Sequence, residues 1–406
     1  MRISLCQIST NLINDPCRDD IASRYYRQIW EARRDEGYVK PTHFWELPNW
    51  AAVIKYNLPT AEFNVIEDPD EFIENSQHYD IICFSVLDAN KKIVKYIVDR
   101  HPALSVLGGY VDFDYFRDCK NVQVYYSIPQ FLHCLGTNYE AGYDYSDFAG
   151  EECIPRLVMS HGCKHHCAFC TESKPISEVP IEEIRQQIQS FNSLNFKLVY
   201  LNDKTFGQAY NHTMLPAIGS EIKRRNLEFD GFIIQTTTTQ FQKLSNRFLK
   251  EANVRFVELG VETFNDSILR KYRKPSSTKR TIKATKRFRD LPIQLIPNII
   301  IGMPEETLET YKNTLEYVRE FQDVMSHLNP YNLSVYKEAD ISRWFETVEN
   351  GDSNELTVHK SFHSDHAAHQ WFHNAILEVG LNLLHKPIRS HASFQLGKSP
   401  VETLRG

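Results

Sequence analysis

The stretch Cys163-Lys164-His165-His166-Cys167-Ala168-Phe169-Cys170 sets three thiols within eight residues, too close and too asymmetrically spaced to be disulfide partners. Such a group reads as a metal site. A four-iron cluster needs one thiolate per iron, so three cysteines on a tight loop can hold three irons and leave the fourth open to a small ligand. A zinc knot with His165 or His166 as fourth ligand is the alternative, because thiolate and imidazole both suit zinc. The strand-like run Arg156-Leu157-Val158-Met159-Ser160 just before the loop favours the cluster. It would set the cysteines at the C-terminal mouth of a barrel strand, where such folds keep their chemistry.

Downstream of Pro155 the pattern is regular. Candidate strands are Arg156 to Ser160, Lys197 to Leu201, Gly231 to Thr236, Val254 to Leu259, Gln294 to Ile301 and Asn332 to Tyr336. Helices fit between them: Ile181, Ile184, Ile188 and Phe191 form one apolar stripe, and Leu308, Tyr311, Leu315 and Val318 another, both at helical spacing. Residues 155–340 therefore read as six β/α units.

The C-x3-C-x2-C spacing, with an aromatic residue before its last cysteine, resembles the signature of the radical S-adenosylmethionine (SAM) superfamily, and the six β/α units are similar to that family's partial TIM-like barrel. The resemblance implies a [4Fe-4S] cluster on Cys163, Cys167 and Cys170 whose open iron chelates SAM, with one electron cleaving SAM to a 5'-deoxyadenosyl radical. It also implies roles at the strand ends. Asn202 and Asp203 follow the second strand, where the family holds the SAM ammonium group; such a group needs an anionic or carbonyl acceptor. Gln235 and Thr236 end the third strand and could bond the ribose or carboxylate. Glu258-Leu259-Gly260-Val261-Glu262 is similar to the family's G-x-E after the fourth. Gly302-Met303-Pro304-Glu305-Glu306-Thr307 is similar to the G-x-P-x-E-T turn that lines adenine, and Phe169 would flank adenine as well. A flavodoxin- or ferredoxin-type protein would supply the electron.

Upstream, residues 1–135 alternate β and α. Short apolar runs lie at Arg2 to Ile8, Glu62 to Ile66, Asp80 to Leu87 and Leu104 to Leu107, and the third is apolar almost throughout, as a parallel strand buried on both faces must be. Trp50, Val53, Ile54 and Leu58 repeat at helical spacing, as do Ile93, Val94, Tyr96 and Ile97 before the breaker His101-Pro102. This reads as a doubly wound, flavodoxin-like (Rossmann-like) domain, whose ligands sit beyond the carboxyl ends of the strands. At two of those ends Ser85-Val86-Leu87 and Gly108-Gly109 resemble the S-x-L and G-G elements of cobalamin-binding domains. A small hydroxyl and two residues without side chains would let the backbone approach a large flat macrocycle. The family's third element, D-x-H-x-x-G, is absent from Cys6-Gln7-Ile8-Ser9-Thr10-Asn11, as it commonly is from cobalamin-dependent radical SAM enzymes. A plain tight turn in a vestigial domain would explain the glycine pair equally.

Residues 12–45 exceed a normal βα connection; a helix with Ile21, Tyr25 and Ile29 packed on the first sheet, or a cap over the cofactor, would account for them. Residues 136–154 are rich in turn formers and read as a linker, and residues 341–406 as a helical C-terminal extension. In that extension His366, His369 and His373 share a helix face at ligand-like spacing, beside His359, His363, His385 and His391, while Trp371, Phe372, Ile376 and Leu377 form a packing face. A helix closing the barrel or the domain interface is expected.

With 406 residues, 42% hydrophobic and 12% aromatic, the chain can fill two or three cores of roughly 150 residues each. No run reaches the ~18 uncharged apolar residues of a membrane helix, and Met1-Arg2-Ile3-Ser4-Leu5 runs into a strand without a signal-peptide pattern, so a cytoplasmic protein is expected. A formal charge of -6 argues against bulk nucleic acid as partner. Ten Lys or Arg and no acid lie between Arg270 and Arg289; this is a solvated helix face or a dock for an anionic substrate or the reductase. None of the nine cysteines lies after Cys170, which leaves no ligands there for auxiliary clusters and fits a reducing compartment. The expectation is a cobalamin-dependent radical SAM enzyme, a C-methyltransferase acting on a small molecule or peptide. A cobalamin-independent radical SAM enzyme, a methylthiotransferase and a non-catalytic zinc scaffold are the alternatives. The methylthiotransferase needs three more cysteines in its first domain, yet Cys83 lies mid-strand and Gly108-Gly109 stands where Gly-Cys is expected.

Overall fold

The computed structural model describes residues 1–13, 20–87, 89–111, 113–336, 338–345, 347–349, 355–358 and 366–387. Two parallel sheets dominate it. The first consists of β1 (Ile3–Ile8), β2 (Glu62–Ile66), β3 (Ile81–Leu87), β4 (Leu104–Tyr110) and β5 (Val122–Val124). Its order is β2-β1-β3-β4-β5, the flavodoxin-like order whose switch point lies between β1 and β3. Ile82, Cys83, Phe84 and Val86 of β3 are all buried, as a strand covered by helices on both faces requires. The edge strand β5 was not foreseen; its three residues, Val-Gln-Val, are too short to show a period.

The second sheet takes β6 (Arg156–Leu157), β9 (Leu198–Leu201), β10 (Gly231–Thr237), β11 (Val254–Glu262), β12 (Gln294–Ile301) and β13 (Asn329–Asn332) in simple succession. Every pairing is parallel. This is the expected partial barrel. Between β6 and β9 an antiparallel hairpin, β7 (Ser160–Cys163) with β8 (Lys174–Glu178), carries the cysteine loop. The sixth strand begins three residues before the expected Asn332, and Val335–Tyr336 leaves the barrel to pair with Glu355–Val358 in a small antiparallel sheet. The tail is thus not wholly helical: that sheet precedes the helix His366–Leu384.

A half-barrel leaves its first and last strands unjoined, and two distant segments pack beside the last one. One is the helix Ile21–Ala32, capped by Asp20, which accepts from the Ser23 amide at 2.9 Å. The amphipathic pattern identifies its buried face correctly, but that face turns to the barrel and not to the first sheet. Tyr25, fully buried, donates to the Leu328 carbonyl at 2.7 Å and accepts from the Leu328 amide at 2.8 Å. Burying such a ring is worth about 2 kcal/mol. Arg33 donates to the carbonyls of Ser326 at 2.7 Å and Leu383 at 2.9 Å. The other segment is the C-terminal helix, whose Gly380 meets the Tyr25 ring so closely that a Cβ would lie 2.6 Å from it. Phe372, Ile376 and Leu377 are buried as expected, whereas Trp371 is exposed. Within residues 136–154, Tyr145 and Phe148 are buried, and Tyr145 donates to Asn49 at 2.9 Å. Among the described residues no helix is long and apolar enough to cross a membrane.

Candidate functional site

The cysteine loop is held from three sides. At its start Gly162 has φ +81°, and a Cβ there would stand 2.2 Å from the Pro175 carbonyl oxygen, so only glycine lets β7 pass β8 this closely. Just beyond β9, the buried Asp203 accepts from the amides of Met159 at 2.9 Å and Ser160 at 3.1 Å and from the Ser160 hydroxyl at 2.6 Å. Burial raises its carboxyl and these bonds oppose the rise. Asp203 therefore anchors the strand that leads into the loop. Farther along, the Ala168 amide donates to the Tyr272 carbonyl at 3.0 Å and the Ile341 amide to the Ala168 carbonyl at 2.9 Å.

The three thiols lie near one another, with Cys167 also near Glu262 at the end of β11. Cys163 lies 3.3 Å from the Thr205 hydroxyl and Cys170 accepts from the Glu172 amide at 3.4 Å. Burial pushes the Cys167 thiol up to about 11, with the nearby Lys274 opposing, and raises Cys170 too. Thiols so placed ionise when a metal takes the proton's place. Lys274 is itself buried, paired with the buried Glu262. Burial works to lower the Lys274 ammonium, and Glu262 and Cys167 together outweigh it and raise it. Glu262 sits in the left-handed region at φ +66°, and a Cβ on Gly260 would come within 2.6 Å of the Lys274 ammonium nitrogen. The buried His165 Nε2 has no hydrogen-bond partner. Among the described residues no three His, Cys, Asp or Glu side chains converge on a point for one ion. Three cysteine thiols on one loop, close enough to act on one another, match the donor set of a four-iron cluster that leaves one iron open.

The loop's apolar side packs on the turn after β12. Ala168, Tyr272, Met303 and Val335 share one buried cluster with Phe169 against it. Gly302 takes φ +95°, and its amide donates to the Tyr311 hydroxyl at 3.0 Å, which in turn lies 2.6 Å from His369 Nδ1. The fold thus gathers Cys163, Cys167, Cys170, Phe169, Glu262, Gly302 and Met303, with Asp203 behind them. Four other expected contacts lie elsewhere. Asn202 accepts from Arg156 at 3.1 Å. Thr236 points to the other face of β10 and donates to the Phe206 carbonyl at 3.0 Å. Gln235 and Glu258, partners across β10 and β11, lie deeper and line a barrel cavity of about 400 Å3 with Arg156, Tyr200, Trp45 and Glu46.

In the first domain Ser85, Gly108 and Gly109 line a cavity of about 280 Å3 with Trp50 and Tyr126. The two glycines differ. Gly109 has φ +123°, and a Cβ would collide with the Val86 backbone at 2.2 Å, so β3 itself demands that glycine. At Gly108 a Cβ would meet the Tyr125 carbonyl oxygen at an ordinary 3.4 Å; only here does the open backbone serve the cavity. Ser85 and Trp50 also line a second cavity, about 260 Å3, at the ends of β1 and β3, with Leu87, Trp45 and Glu46. Trp45 and Glu46 in turn line the barrel cavity. The three cavities are thus neighbours, the middle one sharing walls with both of the others.

Residues 157–318 match the model of the radical SAM superfamily. They form a radical SAM domain. The heme chaperone HemW of Lactococcus lactis is 22% identical over 180 residues, covering 42% of this chain and 46% of HemW. The ribosomal protein uS12 methylthiotransferase RimO of Nitratiruptor is 22% identical over 211 residues, covering 48% of this chain and 46% of RimO. The chain thus spans less than half the length of these relatives. Among solved structures, the cobalamin-dependent SAM radical enzyme OxsB with aqua-cobalamin and SAM bound has TM-score 0.57 at 13% identity, over 88% of this chain and 64% of OxsB. The radical SAM methyltransferase TsrM from Kitasatospora setae has TM-score 0.53 at 13% identity, over 83% of this chain and 74% of TsrM. Both likenesses cover the Rossmann-like and barrel parts together, and they establish the fold.

The sequence reading missed Lys274 of the radical SAM domain because it lies in a basic run read as a solvated face or a dock. That run is not one helix: Asp266–Lys271 and Thr278–Lys286 are separate. Several of its cations are occupied, Lys271 by Glu305, Arg273 by Asp340 and Arg287 by the Phe241 carbonyl at 2.8 Å. A signal existed in Lys274-Pro275, since the residue before a proline is biased out of the helical conformation and so does not belong to a continuous helix face. In the tail, His369 bonds to Tyr311 and His373 is half-buried. The His366 side chain, His359, His363 and His391 lie outside the described residues.

Proposed function

We propose that the chain is a cobalamin-dependent radical SAM enzyme, a C-methyltransferase acting on a small molecule or peptide, served by a flavodoxin- or ferredoxin-type donor. The observation that carries this reading is that cavities at the Ser85-Gly108 strand ends and inside the barrel are neighbours, sharing Ser85, Trp50, Trp45 and Glu46 as walls. When bound, the cluster would supply the electron that cleaves SAM to a 5'-deoxyadenosyl radical, and cobalamin would supply the methyl group.

The chain's own residues do the rest. Cys163, Cys167 and Cys170 would hold three irons, and Thr205 and Glu172 orient two of those sulfurs. Lys274 places positive charge beside Cys167 and Cys170, which favours an anion there. Phe169 and Met303 would offer adenine an apolar wall. Gly108, Ser85 and Trp50 would receive the nucleotide end of cobalamin, and Ser85, Leu87 and Trp45 its ring. Trp30, Tyr38 and Trp45 line the barrel cavity and would limit the entry of water to it.

Corrin retention tests this. Hydroxocobalamin added to the anaerobically reconstituted chain should survive desalting at about one corrin per chain, with its visible bands shifted. No retained corrin would overturn the cobalamin assignment. The RimO likeness raises a methylthiotransferase as second reading. That activity, by the resemblance noted above, needs a second cluster, but Cys6 and Cys83 are buried inside the first sheet with both thiols raised by burial. About four irons per chain, not eight, is the expected count.

A further inference from the structure

The barrel cavity carries one carboxylate more than it can neutralise. Glu46 and Arg156 are paired, and that guanidinium is further engaged by Asn202 at 3.1 Å and lies over the Tyr200 ring at 4.6 Å. Glu258 is different. It is 8% exposed, on the concave face of β11, and accepts from the Tyr200 hydroxyl at 2.9 Å. Among the described residues no cation is in ion-pair contact with it. A buried carboxylate is retained only where something pairs with it, and here the open side is the cavity. Burial raises its carboxyl, against Tyr200 and the more distant Arg156.

The remaining walls suit the same partner. Trp30, Tyr38, Trp45 and Tyr331 present aromatic surface to the cavity, while Gln235, Asn298 and Asn329 supply amides. Trp30 and Tyr38 are stacked at 5.0 Å. Aromatic faces around an anion form the standard receptor for an organic cation, whereas an anionic ligand would find the one guanidinium already bound. At about 400 Å3 the cavity holds a small molecule and not a folded domain. Glu258 also lies at most roughly 13 Å below Glu262 along β11 by strand rise, within the span of a small molecule from the mouth where the cysteines sit.

We propose that this cavity binds the substrate through a positively charged amine, with Glu258 as counter-ion and the surrounding rings as its walls. The proposal rests on the radical SAM reading above and specifies the substrate class of that same site. Glu258 acts as a binding and positioning residue; it holds the ammonium end so that the carbon to be changed lies toward the cysteine loop.

The test uses the reconstituted full chain and three probes of one shape: 2-phenylethylammonium, 2-phenylethanol and 3-phenylpropanoate, titrated calorimetrically and by tryptophan fluorescence. The ammonium should bind at least about tenfold tighter than the alcohol, the ratio a charge-assisted hydrogen bond supplies, and the carboxylate should bind weakest. In Glu258→Gln, which keeps the Tyr200 bond, ammonium affinity should fall to that of the alcohol while the alcohol's is unchanged. Equal binding of ammonium and alcohol by the unmodified chain overturns the proposal without any variant. So does an unchanged ammonium affinity in a Glu258→Gln protein that unfolds cooperatively at or above the parent's thermal midpoint. The two readings fail separately: a chain that cleaves SAM but ignores the ammonium loses only this proposal, and one that prefers the ammonium but holds no iron loses only the radical SAM reading.

Discussion

The two parallel sheets are built from the same β/α units but differ in order, and the order decides where each keeps its open space. In β2-β1-β3-β4-β5 the chain reverses direction across the sheet between β1 and β3, so the connections diverge there and leave a crevice at the strand ends. In β6-β9-β10-β11-β12-β13 the chain never reverses, so the sheet curls and its space lies inside, lined by alternate residues such as Glu258 on β11. A flat crevice suits a large planar ligand; a lumen suits a small substrate sealed from water. The insertion after β1, with Trp30, Tyr38 and Trp45, joins the two by belonging to the first sheet in sequence and to the barrel in packing.

Five changes break or sharpen this contrast. The largest effect is expected in the barrel half: Cys163→Ala, Cys167→Ala or Cys170→Ala should remove 5'-deoxyadenosine formation altogether and leave corrin retention by the first sheet intact. Iron and corrin counts on the same sample check both. Next, Lys274→Met strands the buried Glu262 and should cost about 3 kcal/mol in urea unfolding, while Lys274→Met with Glu262→Gln should recover most of it. In the first sheet, Gly109→Ala drives a Cβ to 2.2 Å from the Val86 carbonyl oxygen and should cost about 2 kcal/mol. Gly108→Ala should leave stability near the parent's and weaken corrin retention instead.

The smallest effect concerns pH. The Glu258 carboxyl is raised in the folded chain by burial, so the folded state holds a proton there that the unfolded chain releases, and this stabilisation is lost as pH rises above the ordinary carboxylate value of 4.5. Glu258→Gln should therefore raise the thermal midpoint at pH 7.5 by about 2–4 °C, and the gain should shrink as pH falls toward 4.5. A gain that is the same at both pH values contradicts the assignment.

Much of this was legible in the sequence because it is local. The cysteine spacing, the six strand runs and the Gly302-Met303 turn each depend on a few adjacent residues. The misses were relations between distant segments. A helical stripe tells which face of Ile21–Ala32 is buried but not that Leu328 and Gly380 receive it. The pair Gly108-Gly109 reads as one element, although neighbouring backbone imposes one glycine and the cavity uses the other. Asp203 and Glu258 both read as ligand contacts at strand ends; in space one ties down the strand before the cysteines and the other stands deep in the lumen.

The central claim is that crevice and lumen serve one reaction. The direct measurement is the set of SAM products formed by the anaerobically reconstituted chain under reductant, with and without cobalamin, read by mass spectrometry. The account expects 5'-deoxyadenosine together with S-adenosylhomocysteine when cobalamin is present, and loss of S-adenosylhomocysteine when it is omitted. Products that are the same with and without cobalamin would contradict it.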